Sequence, residues 1–335
     1  MFSRRRRRRI LQEPFPDAWR AHLDANMAHF RHLEPSEAER LCQLVQVFVA
    51  EKHWEGCGGL ELTDEIRVTI AGQACLLVLG LDHVFYRDVE TILVYPSTVV
   101  PKRAEEPMFA LPVVVRDVVP VIGEAHRRGP VVLTWDAVRR GGRHPERGHN
   151  VVYHEFAHKL DMLNGAVDGV PPLSRKEYKR WVEVCQREYD ALREQFEAGV
   201  ETFLDPYGRT NPGEFFAVAT EYFFDKALEM AQKHAALYDV LRAFYRQDTA
   251  QRERRTLEAL EADVSLQLSR RVGALTQAVE VLVADSGEHH EFAVEVDRVD
   301  EGAAQGHDHA SRGENRGSDQ HDRHALVPDE GDQND

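Results

Sequence analysis

The sequence predicts an α+β fold in which a small sheet leads into a helical half. Two observations carry this. Short aliphatic and β-branched runs at Ile66 to Ile70, Ile92 to Tyr95 and Pro130 to Leu133 all lie before residue 135. Beyond that point apolar residues recur at three- and four-residue steps, the spacing of a helix with one buried face.

Taken in order, Arg4 to Arg9 are six consecutive arginines with no long apolar stretch after them. That argues against a secretory signal and predicts a disordered basic N-terminus over residues 1–11. Asp17 to Phe30 and Pro35 to Trp54 have helical spacing, the second opened by Ser36 as cap. Cys57-Gly58-Gly59 breaks the chain, Ile66 to Ile70 is expected as a strand, and Ala71 to Leu81 as an apolar helix. The two later strands follow, with Pro112 to Val121 a further candidate. Gly129 to Trp135 would put one strand directly before the next helix, where its edge can serve either the core or an extended peptide.

That next helix begins at Asn150, a capping residue, and carries Val151, Val152, Phe156, Ala157 and Leu160. Gly165 to Pro172 is a loop and Glu177 to Glu197 a charged amphipathic helix. Asn211 caps and Pro212 starts a helix from Glu214 to Gln232, and Ala236 to Tyr245 closes the core. Leu257, Leu260, Val264, Leu268, Val272, Leu275, Val279 and Val283 predict an additional amphipathic helix over residues 250–285, for packing on the core or for a partner. Residues 286–335 hold fourteen acidic against four basic residues and few aromatics, the composition of an acidic disordered tail.

The chemistry concentrates in His154-Glu155-Phe156-Ala157-His158. Imidazoles four residues apart stack on one helix face and can hold one metal ion, with Glu155 beside them to work on a water. A third ligand decides between a closed structural site and a hydrolytic one. Glu214 and Glu221, seven residues apart on a later helix, both qualify by spacing. Glu214 has a competing role, because it stands three residues after Asn211, where a capping-box glutamate turns back to the helix start.

His154 to Asp161, followed by Glu214-Phe215-Phe216-Ala217, resembles the Mlc titration factor A family of bacterial zinc peptidases. The same pieces with Tyr207-Gly208-Arg209-Thr210-Asn211 are similar, more distantly, to the gluzincin catalytic domain of anthrax lethal factor. Upstream the resemblance to the first family runs through Phe15 to Trp19, Phe48 to Lys52, Glu55 to Leu60, Asp64 to Ile70, Ile92 to Pro96 and Val132 to Trp135, covering about residues 12 to 248. It implies a zincin-like metallopeptidase domain over residues 12–249 with one Zn2+ per chain. It further implies His154, His158 and Glu214 as ligands, Glu155 as general base and Tyr207 as an electrophilic helper. Glu221 then becomes a partner for a ligand's free ring nitrogen, a duty Asp161 can equally take toward His158. The implied activity is aminopeptidase-like, on a peptide or protein substrate. The alternative is a non-catalytic protein that sequesters a sugar-uptake repressor of the Mlc type.

Composition sets limits. A formal net charge of -15 repels polyanions, so no direct nucleic-acid binding is expected. No run approaches the ~18 apolar residues that would suggest a membrane span. Cys42, Cys57, Cys75 and Cys185 are scattered, without metal spacing or a disulfide framework, which suggests a cytoplasmic protein.

Overall fold

The computed structural model describes residues 4–81, 86–97 and 129–285. The strand candidate Pro112 to Val121 and the acidic tail lie outside them. Two compact units divide the chain, residues 1–273 and 274–335. Among the described residues no helix is long and apolar enough to cross a membrane.

The arginine run, expected as a disordered tail, forms helix α1 (Arg4–Ile10), and Arg7 donates from Nε and Nη2 to the two carboxylate oxygens of Glu51 at 2.5 and 2.6 Å. Glu51 ends helix α3 (Pro35–Glu51), so this bidentate pair fastens the N-terminus to the fold. Between them lie α2 (Asp17–Asn26) and a 3₁₀ turn, Ala28–His32, where a single longer helix was expected. The cap of α3 is Glu34 rather than Ser36, in a reciprocal capping box with Glu37.

Ile66 to Ile70 is not a strand. It lies inside helix α4 (Asp64–Leu77), whose start is fixed by Thr63 Oγ1 accepting from Ile66 N at 3.3 Å and by Asp64 and Glu65 at the positive helix end. Every residue of Ile66 to Leu77 except Arg67 is buried, so the helix is apolar around its girth and shows no helical period in the sequence. The sheet instead gains β1 (His53–Gly56), which the sequence reading had assigned partly to the preceding helix. It pairs in parallel with β2 (Thr91–Tyr95), and β2 with β3 (Val131–Thr134), in the order β1-β2-β3. Strand β3 stops at Thr134, and Trp135 begins α5 (Trp135–Arg143).

The second half is helical, as expected: α6 (Val151–Asp161), α7 (Arg175–Glu197), α8 (Pro212–Asp225), α9 (Ala227–Lys233) and α10 (Ala235–Tyr245). The single helix expected over 214–232 is interrupted at Lys226, whose φ of -131° and ψ of 48° lie outside the helical region. Helices α6 and α8 pack against each other, and Phe156 of α6 meets the rings of Phe48 and Tyr86 at 5.8 and 4.8 Å. The last helix, α11 (Thr249–Asp285), buries Ala250 and Arg252 at its start. Within the first unit every side chain from Leu257 to Val272 is exposed, so the buried part of α11 there lies in its first two turns.

Candidate metal centre

Helix α6 is held at its start by one side chain with several duties. Asn150 Oδ1 accepts from the backbone N–H groups of Val152 and Tyr153, both at 3.1 Å, which is the expected cap. Its Nδ2 donates to Gln73 Oε1 on α4 at 2.9 Å, and its backbone N–H donates to Glu221 Oε2 on α8 at 2.5 Å. The helix carrying the two histidines is thereby tied to both neighbours.

Helix α8 starts at Pro212, with Asn211 Oδ1 accepting from Glu214 N at 3.0 Å. The Glu214 carboxylate approaches the histidines instead of completing a capping box. Its Oε2 lies 3.0 Å from His154 Nε2 and 3.3 Å from His158 Nε2, and the two Nε2 atoms are 3.3 Å apart. Glu221, two turns further along, takes the other face of the same imidazole, with Oε1 2.8 Å from His154 Nδ1. The spacing that left the two glutamates equal thus brings both to His154, at opposite ring nitrogens.

His154, His158 and Glu214 form the one group of three metal-capable side chains among the described residues, each offering an atom within 4.8 Å of the others. The donor set suits a divalent cation such as zinc. With the Nδ1 hydrogen given to Glu221, Nε2 of His154 turns a lone pair toward a carboxylate oxygen and a second imidazole, an arrangement that calls for positive charge between them. The electrostatics of the site point the same way. Burial disfavours the charged form of His154, yet hydrogen bonds to Glu214 and Glu221 outweigh it and raise its pKa well above the usual value. Burial likewise works against ionised Glu214, but the two imidazoles draw it down to about 2.

Glu155 is half-buried, and desolvation raises its pKa above the ordinary carboxylate value, moderated by His154, His158 and Lys159. Tyr207 lies in a 3₁₀ turn, Pro206–Arg209, where its N–H donates to Asp205 Oδ1 at 2.7 Å. Its ring centroid is 6.1 Å from that of His154. Asp161 does not take the duty toward His158. Its Oδ2 accepts from Gly169 N at 3.0 Å, while Oδ1 and His158 Nδ1 are both buried without a hydrogen-bond partner among the described residues. Gly169 has a φ of +74°, and a Cβ there would stand 2.4 Å from Pro212 O, so Asp161 holds a tight loop beneath the start of α8. Burial pushes Asp161 up to about 6, the Gly169 N–H pulling against it.

Gln73 and the backbone of Asn150 were missed by sequence reasoning. Their partners are 77 and 71 residues away, and no local pattern marks them. Glu221→Gln, which keeps the shape but weakens the acceptor on His154 Nδ1, should lower zinc affinity by about 10- to 100-fold in a chelator competition titration. Unchanged affinity would deny Glu221 any hold on the ring.

The profile of the glucose-regulated metallo-peptidase M90 family matches residues 1–246. An uncharacterised protein of Synechocystis sp. is 40% identical over 241 residues, which are 72% of this chain and 87% of that protein. The Mlc titration factor A of Klebsiella pneumoniae strain 342 is 34% identical over 226 residues, 67% of this chain and 84% of its own length. That of Yersinia pestis strain Pestoides F is 30% identical over 237 residues, 70% and 86% of the two chains.

Proposed function

This chain belongs to the glucose-regulated metallo-peptidase M90 family, and we propose that it is a zinc peptidase of the gluzincin type with aminopeptidase-like activity. The observation that supports this best is the convergence of His154 Nε2, His158 Nε2 and Glu214 Oε2, with Glu155 next in sequence to the first of them. In this reading those three side chains hold the ion, Glu155 is the base and Tyr207 the electrophilic helper. Zinc bound there would supply the Lewis acidity that polarises a carbonyl and brings the pKa of a water toward ~7.

The rest falls to the chain. Glu155 accepts a proton from the attacking water and passes it to the leaving amine, and its raised pKa favours both transfers near neutral pH. The Tyr207 hydroxyl donates to the oxyanion that develops on the substrate carbonyl. Glu221 keeps the Nδ1 hydrogen of His154 engaged, so that Nε2 offers its lone pair. Among the described residues β3 pairs with β2, and in this reading its other edge takes an extended peptide beside α6.

Hydrolysis of an alanine chromogenic amide tests the reading. Activity is expected from zinc-loaded protein, to disappear on chelation and to return with zinc. Activity indifferent to chelation would refute it. Absence in every state would favour the second reading, a protein that binds a repressor of the Mlc type, which the printed name of the Klebsiella and Yersinia relatives supports.

A further inference from the structure

We propose that α11 is a self-association helix through which two copies of this chain pair antiparallel, about a two-fold axis level with Leu266. Within residues 257–273 its apolar side chains are Leu257, Leu260, Val264, Leu266, Leu268 and Val272, 46–64% exposed. At 100° per residue all but Leu266 fall on one stripe, which the sequence spacing continues to Leu275. So regular an exposed row differs from the single scattered apolar residues of ordinary surfaces. Within residues 249–273 the buried side chains of α11 lie in its first two turns, and a helix so exposed beyond them gains from support elsewhere, because isolated helices are marginal in water.

The order of the stripe names the occupant. Its steps from Leu257 to Leu275 run three, four, four, four, three, and read the same in both directions. A two-fold pairing requires that symmetry, since residue i facing j obliges j to face i. With the axis at Leu266, Val264 stands level with Leu268 and Leu260 with Val272, so apolar residues share each level. Glu261 and Arg271 lie within the same stripe, inside Val272 and Leu260, and this register sets each at the level of the other, giving two opposite-charge pairs across the seam. In a parallel pair Glu261 would meet Glu261 and Arg271 would meet Arg271. The charges therefore select the antiparallel arrangement, with a seam about 18 Å long from Leu260 to Val272 at ~1.5 Å per residue.

Light scattering on the full chain tests this, with a mass twice 38.2 kDa expected. Val264→Glu combined with Leu268→Glu should give monomers that keep zinc-dependent activity and the helical circular dichroism of the core. Glu261→Arg or Arg271→Glu alone should raise the dimer Kd about tenfold or more, and the two together should restore it. A monomeric wild type at all concentrations, or a dimer indifferent to the Val264 and Leu268 changes, overturns the proposal. A double reversal no tighter than the single ones overturns the antiparallel register.

Discussion

Glu155→Gln is expected to cut peptide hydrolysis by about 10²- to 10⁴-fold while leaving zinc content at the wild-type level. The substitution keeps the volume and the half-buried setting of the side chain but removes its ability to take a proton. The three converging atoms that would hold the ion belong to His154, His158 and Glu214, so the exchange leaves them in place. Burial already raises the pKa of Glu155, which makes it a stronger base than an exposed carboxylate without needing another residue to tune it. Turnover and metal content must be read on the same preparation. Wild-type turnover in a zinc-replete variant would take Glu155 off the proton path, whereas a variant that has lost its zinc would make it a metal-holding residue.

Glu214→Ala is expected to be the more severe lesion for the ion itself. It removes the only carboxylate among the described residues that approaches both Nε2 atoms, leaving the two imidazoles 3.3 Å apart with no anion between them. Zinc affinity should fall by more than the ~10- to 100-fold expected for an outer partner, so Glu214→Ala must cost clearly more than the Glu221 change. Parallel competition titrations decide this. Equal losses would mean that the two glutamates share the ion, and a deeper loss at Glu221 would exchange their roles.

The candidate metal centre was legible because its signals are local. Asn150 before an apolar helix, two histidines four residues apart, and Asn211-Pro212 ahead of Glu214 each work within a turn or two of helix. Local spacing could not separate Glu214 from Glu221, since both reach His154 and differ only in which ring nitrogen they meet. The sheet was harder. Helix α4 carries a proper start at Thr63-Asp64-Glu65, but its burial on all sides erases the period, and Val68-Thr69-Ile70 then mimics a strand. Strand β1 is four residues long, without alternation, and exists through its pairing with β2, a long-range fact.

The hydrogen bonds that run from Gln73 through Asn150 and Glu221 to His154 begin in the centre of the protein and end at an imidazole. The ring is therefore aimed by contacts of the fold itself, unlike a zinc finger, where ligands and fold assemble together. Loading then adds stability only by mass action, about 2.7 kcal/mol at a free metal concentration one hundred times the dissociation constant. On the proposed function, protein stripped of metal by a chelator is expected to keep its helical circular dichroism and to regain activity on metal supply alone, with no new synthesis and no refolding.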